Sequence, residues 1–195
     1  MNFMSDTVAP AHPAILDAMV AAAKGAAPSY GSDPWTKSAR EALSKTFETE
    51  VDIWLVSSGT AANALGLSIL CPSHGGVLCH QDAHIQTDER GAPEFYTGGG
   101  KLILLPGAHA RIDLAARKRR RDFNDPNFVH ETPLHALSLS NLTESGAAYH
   151  PFEIKERAAL AREAGLAVHL DGARLANALV STGATPAEMT WRAGV

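Results

Sequence analysis

The sequence predicts an α/β protein, a three-layer α/β/α arrangement in which a mostly parallel sheet lies between helices. Two observations carry this. Short apolar runs of strand length alternate with longer segments of helical period, the pattern of crossover connections between parallel strands. The apolar runs also end in small polar or charged residues such as "SSGT", "QDAH" and "DGAR". In open α/β sheets, ligands sit beyond the carboxyl ends of the strands.

The elements follow in order. After Pro13, the spacing of Ile15, Leu16, Met19 and Val20 predicts a short helix ending near Gly25. "DPWTKSAREALSKTF" predicts a second, with Asp33 as N-cap and Pro34 in the first position, where the missing N–H costs nothing. "VDIWLV" (51–56) is expected as a strand and "TAANALGLSIL" (60–70) as a helix. "GGVLCH" and "KLILLP" read as short strands, "IDLAARKRRRDF" as a helix with a basic outer face, and "HALSLS" (135–140) as a buried strand. "PFEIKERAALAREAG" opens on Pro151, keeps Ile154, Ala158 and Ala161 on one face and stops at Gly165. "LAVHLD" is the last strand. We expect residues 1–25 to form an N-terminal arm and helix, and 26–195 a single large domain.

Composition narrows the function. With 195 residues, 45% of them hydrophobic, the chain can bury a sizeable core. Seventeen basic and 21 acidic residues give a formal charge of -4, which offers no general attraction to nucleic acid or anionic membrane. The run "RKRRR" (117–121) fits a solvated helix face. No apolar stretch approaches a spanning helix and no secretory pattern opens the chain, so a cytoplasmic location is expected. Cys71 and Cys79 cannot build a disulfide framework and match no zinc or redox spacing; they read as buried free thiols.

Three strand ends hold chemistry. Ser57, Ser58, Gly59 and Thr60 lead into a helix whose first N–H groups and dipole favour an anion, and Gly59 allows close approach. The same residues also suit an ordinary N-cap. His80 and His84 are four apart, as zinc ligands on a helix would be. Gln81 replaces the glutamate of a His-Glu-x-x-His site, however, and a strand has just ended there, which argues against a metal. Asp171 closes an apolar strand and needs a cationic partner to stay charged when desolvated. Arg174 could supply that partner as an ion pair, and so could a protonated ring nitrogen on a ligand. A phosphate cradle, an imidazole and a carboxylate suited to a pyridinium together describe a pocket for pyridoxal 5'-phosphate (PLP).

The ordered set "MNFMSDTVAPAHPAI", "PSYGSDP", "SSGTAANAL", "HQDAHIQTDE", "LSLSNLTESGAAY" and "HLDGARLANAL" resembles the low-specificity L-threonine aldolases, fold-type I PLP enzymes related to aspartate aminotransferase. The resemblance implies a PLP-transferase large domain. It implies that Ser58, Gly59 and Thr60 hold the cofactor phosphate, that His84 stacks on its ring and that Asp171 pairs with the ring nitrogen. Arg174 is similar to an arginine that contacts the cofactor phenolic oxygen or the substrate carboxylate. Ser5 and Tyr30 match residues near the substrate, and Asn141 one close to the cofactor. His130 falls where the family has a histidine near the substrate hydroxyl.

The reaction implied is retro-aldol cleavage of threonine and related β-hydroxy-α-amino acids to glycine and an aldehyde. His130 is the candidate base for the hydroxyl proton and His84 its competitor. A homo-oligomer, dimer or tetramer, is implied as well. A related β-eliminating lyase or transaminase would use the same Asp171 and cradle, and a non-catalytic fragment is the reading from a different class. The family's Schiff-base lysine follows a further strand in a Ser-x-x-Lys or Thr-Lys context. This chain ends at "MTWRAGV", and Lys24, Lys37, Lys45, Lys101, Lys118 and Lys155 do not match that context. The small C-terminal domain is not represented either, so the sequence is read as a truncated one.

Overall fold

The computed structural model describes residues 8–122 and 128–195. Contacts divide the chain into two compact units, residues 1–44 and 45–195.

In the first unit, helix α1 (Pro13–Ala22) starts on Pro13, and the His12 ring accepts a hydrogen bond from the Ala14 N–H. Its apolar residues Ile15, Leu16, Met19 and Val20 are exposed. Helix α2 (Pro34–Phe47) begins as expected. Asp33 Oδ1 accepts from the Thr36 N–H (2.8 Å) and Oδ2 from the Thr36 hydroxyl (2.7 Å), and these bonds hold the Asp33 carboxyl below its ordinary range.

The second unit contains the sheet. Four parallel strands, β1 (Gly76–His80), β2 (Lys101–Leu105), β3 (Leu134–Ser140) and β4 (Ala167–Asp171), lie in the order β2-β1-β3-β4. Helix α3 (Gly59–Leu70) precedes β1. The short helices α4 (His84–Thr87) and α5 (Ala92–Tyr96) separate β1 from β2, and α6 (Leu114–Asp122) follows β2. Helix α7 (Pro151–Glu163) links β3 to β4, and α8 (Leu175–Thr182), α9 (Pro186–Met189) and a 3-10 turn (Trp191–Ala193) follow β4. Pro151 stands at the start of α7, where Glu153 Oε2 accepts from the His150 N–H (2.9 Å), and Gly165 turns the chain in the left-handed region at φ 72°.

Alternation along the strands divides the interior in two. Leu78, Leu137 and Leu139 pack with Ile154, Ala161 and Met189, with Val168 and Leu170 of β4 at the margin of that layer. Val77, Cys79 and Ala136 pack with Leu67 of α3 on the opposite face. The same period of two puts Ser138, Ser140, His169 and Asp171 on the α3 face, and β3 and β4 pair in register as Ser138 with His169 and Ser140 with Asp171. Both cysteines are buried free thiols; burial, with Glu144 and Glu94 adding to it, pushes Cys79 up to about 12.

One expectation is corrected. Residues 51–56 form no strand, and Trp54, Leu55 and Val56 are exposed. A strand exists through its ladder of backbone hydrogen bonds, and none of the four strands pairs with this segment. Its apolar, β-branched composition cannot supply that neighbour. Among the described residues, no helix is long and apolar enough to cross a membrane.

Candidate active site

The parallel sheet points the ends of β1, β3 and β4 toward one edge, where a cleft of about 290 Å³ opens. Gly59, Ala62 and Asn63 of α3 line one wall, and His169, Leu170, Asp171, Gly172 and Ala173 the other. Asp171 therefore opens onto the same space as the start of α3. Ser58 caps α3: its Oγ accepts from the Ala61 N–H (3.1 Å) and its carbonyl from the Ala62 N–H (3.1 Å). Among the described residues, the N–H groups of Gly59 and Thr60 and the Thr60 hydroxyl have no partner, and a Cβ added at Gly59 would meet nothing within 4 Å. Unpaired donors, a helix dipole and open space make this turn suitable for an anion.

Asp171 is held by neutral donors only. Oδ1 accepts from the Ala173 N–H (3.0 Å) and Oδ2 from Asn63 Nδ2 (3.0 Å). The ion pair with Arg174 that the sequence left open does not form. Arg174 stands half-buried at the start of α8 with no ion pair among the described residues. Among the described residues the carboxylate thus has no cationic partner, and it faces a cleft.

Asn63 extends the arrangement. Its Nδ2 also donates to Glu89 Oε1 (2.8 Å), and the same oxygen lies 2.8 Å from His84 Nδ1. His84 opens α4 just beyond β1, its backbone N–H donating to Glu144 Oε1 (3.0 Å), which also accepts from Ser140 Oγ (2.7 Å). Burial alone would lower the His84 imidazole. The hydrogen bond to Glu89 and the charges of Glu89, Asp88 and Asp171 together carry it above its ordinary value. The half-buried His169 ring bonds Ser138 Oγ (2.9 Å) and is pushed below its ordinary value by desolvation, which the Asp171 charge only partly offsets.

Sequence reasoning missed Asn63, Glu89 and Glu144. A signal for Asn63 was present: it lies four residues after Gly59 on the same helix, one turn deeper. Glu89 and Glu144 gave none, because they reach the site from a turn after α4 and a turn after β3.

The remaining expected residues are placed differently. His130 lies four residues before β3, at the N-terminal end of a parallel strand whose other end, Ser140, pairs with Asp171. It is exposed, with its ring edge-on to Phe128 at 5.3 Å, and the structure does not bring it to Asp171. Asn141 is fully buried and its amide is spent on the backbone: Oδ1 accepts from the Tyr149 N–H (3.0 Å), while Nδ2 donates to the Tyr149 carbonyl (3.1 Å) and contacts Met189 Sδ (3.1 Å). A side chain so occupied braces the β3 turn, and nothing in its bonding reaches the cleft. Tyr30 belongs to the first unit, exposed and at φ 61°, and Ser5 lies outside the described residues. His80 ends β1 with both ring nitrogens engaged, Nδ1 accepting from the Asp82 N–H (3.0 Å) and Nε2 bonding the Gly107 carbonyl (3.0 Å). His80 and His84 do not share a helix.

Comparisons with known proteins place the chain in a family. Residues 2–194 match the family model described as beta-eliminating lyase. A low specificity L-threonine aldolase of Pseudomonas sp. (strain NCIMB 10558) is 38% identical over 198 residues, covering 100% of this chain and 56% of that protein. A Leishmania major threonine aldolase superposes with a TM-score of 0.88 at 29% identity, over 96% of this chain and 54% of that one. A serine palmitoyltransferase from S. paucimobilis, solved with a bound PLP-myriocin aldimine, shares the fold at a TM-score of 0.59 and 17% identity, over 81% of this chain and 37% of that one. The chain spans about half the length of the relatives it matches. With a match that runs through both walls of the cleft, from the start of α3 to the end of β4, the chain belongs to the beta-eliminating lyase family.

Proposed function

We propose that the protein carries the cofactor-binding part of a PLP-dependent L-threonine aldolase, which cleaves threonine and related β-hydroxy-α-amino acids to glycine and an aldehyde. The observation that carries this reading is the shared cleft: on one wall a carboxylate with no cationic partner among the described residues, and on the other a helix start with N–H donors unpaired among them. Pyridoxal phosphate fits that donor set. Its phosphate would be held at Ser58, Gly59 and Thr60, and its protonated ring nitrogen by Asp171. When bound, the group supplies an electron sink for the pair released at Cα.

The protein's own residues perform the rest. Asp171, oriented by Asn63 and the Ala173 N–H, keeps a proton on a cationic ring nitrogen by charge. His84 keeps Nε2 free of protein partners among the described residues while Nδ1 is held by Glu89. This makes it a better-placed candidate than His130 for handling the substrate hydroxyl proton. Arg174, half-buried and without an ion pair, is available for a carboxylate or phenolate. The anchoring lysine is assigned to no residue of this chain. A homo-oligomer, dimer or tetramer, and a cytoplasmic location belong to the same reading; the exposed apolar face of α1 suits an assembly contact.

The test is product analysis. The parent protein that contains this chain, incubated with L-threonine and pyridoxal phosphate, should release glycine and acetaldehyde in equal amounts. Release of 2-oxobutanoate instead would assign elimination.

A further inference from the structure

We infer that Glu89 is the positioning residue of this site: one buried oxygen sets the tautomer of His84 and, through Asn63, the direction of the Asp171 carboxylate. The inference rests on the reading of the cleft given above, but its physical content concerns this chain alone.

The Glu89 side chain is wholly buried. Its Oε1 meets two groups, Asn63 Nδ2 at 2.8 Å and His84 Nδ1 at 2.8 Å, whereas Oε2 is buried with no partner among the described residues. Asn63 Nδ2 has two hydrogens, and carboxylate oxygens of Glu89 and Asp171 stand at hydrogen-bonding distance from it. The flipped amide would turn its oxygen toward both carboxylates, so the partners define its orientation.

The His84 tautomer follows. An ionised Glu89 can only accept, so Nδ1 carries the hydrogen. A proton on Oε2 would leave a buried donor unmet, and Oε1 would still accept. In the neutral imidazole the lone pair is therefore on Nε2, the nitrogen without a protein partner. The charged groups around His84 are Glu89, Asp88 and Asp171, with Glu144 on its backbone N–H. Among the described residues Glu89 alone bonds the ring.

The test is nitrogen NMR of the histidine rings in the 195-residue chain without cofactor, which does not depend on whether the parent is an aldolase. Above its titration, His84 in the wild type should show a hydrogen on Nδ1 and a bare Nε2. In Glu89→Gln the His84 midpoint should move down, because the negative charge hydrogen-bonded to its ring is gone. In Glu89→Leu the ring should revert to a hydrogen on Nε2. The signals of His135, which is bonded to the Pro133 carbonyl at the far end of the sheet, report that the fold is kept. A wild-type His84 with its hydrogen on Nε2 overturns the inference, as does an unmoved midpoint in a folded Glu89→Gln. If both variants fail to fold, the wild-type tautomer decides by itself. Failure of the product assay with the expected tautomer would refute the aldolase reading and leave the positioning role standing.

Discussion

Replacing Asn141 with alanine separates a brace from a cofactor contact. The Asn141 amide joins the Tyr149 N–H and carbonyl at 3.0 and 3.1 Å, with both residues almost fully buried. Truncation leaves two buried backbone groups without these partners, at about 1–3 kcal/mol each, and opens a small cavity. Water entering the gap would recover part of the loss, which brings the expected destabilisation to about 3 kcal/mol. Urea unfolding reads it directly: with a slope of about 1–3 kcal/mol per molar, the midpoint should fall by roughly 1–3 M at unchanged slope. Pyridoxal phosphate binding, measured well below that midpoint, should change little. A midpoint that barely moves, combined with lost cofactor binding, would refute this reasoning and restore Asn141 to the neighbourhood of the cofactor that the family resemblance implied.

Two other outcomes follow from the geometry. Gly59→Ala adds a Cβ that meets no atom of the chain within 4 Å, so unfolding should shift by less than about 0.5 kcal/mol. The methyl occupies the space an anion needs, so phosphate and pyridoxal phosphate should bind more weakly; equal affinity would remove the anion seat from this turn. The two histidines make opposite contributions to the pH dependence. His169 is held below its ordinary value of 6.5, so the unfolded chain takes up its proton first. The stability His169 provides is present above about pH 6.5 and is lost as pH falls through the depressed value. His84 is raised, so its contribution is full below about pH 6.5 and is lost as pH rises through the raised value. Unfolding of His169→Gln between pH 5 and 6.5 should show a flatter pH slope than the wild type, and an identical slope would refute the assignment.

The sequence by itself determined what local physics controls. Asp33 with Pro34 at the head of α2, Ser58 at the head of α3, and Pro151 with Glu153 at the head of α7 act within three residues, so the order of residues suffices to place them. The alternation of Ser138, Ser140, His169 and Asp171 with leucines and valines likewise follows from the two-residue period of a strand. That is why the carboxylate at the end of β4 and the capped turn at the head of α3 were legible before any coordinates. Tertiary structure decided the pairings between distant residues. Residues 51–56 have strand composition but no ladder partner, and composition carries no information about partners. Asn141 fell in a recognisable motif and His130 only at a position where the family has a histidine, yet the bonding of the first and the place of the second at the opposite end of β3 depend on packing. Asn63 and Asp171, 108 residues apart, and Asn63 and Glu89, 26 apart, meet only because the crossover connections bring α3 and the turn after α4 to the same edge of the sheet. Hydrogen bonds act over about 3 Å in space, whatever the separation along the chain, so a constellation of this kind exists only once the layers have packed.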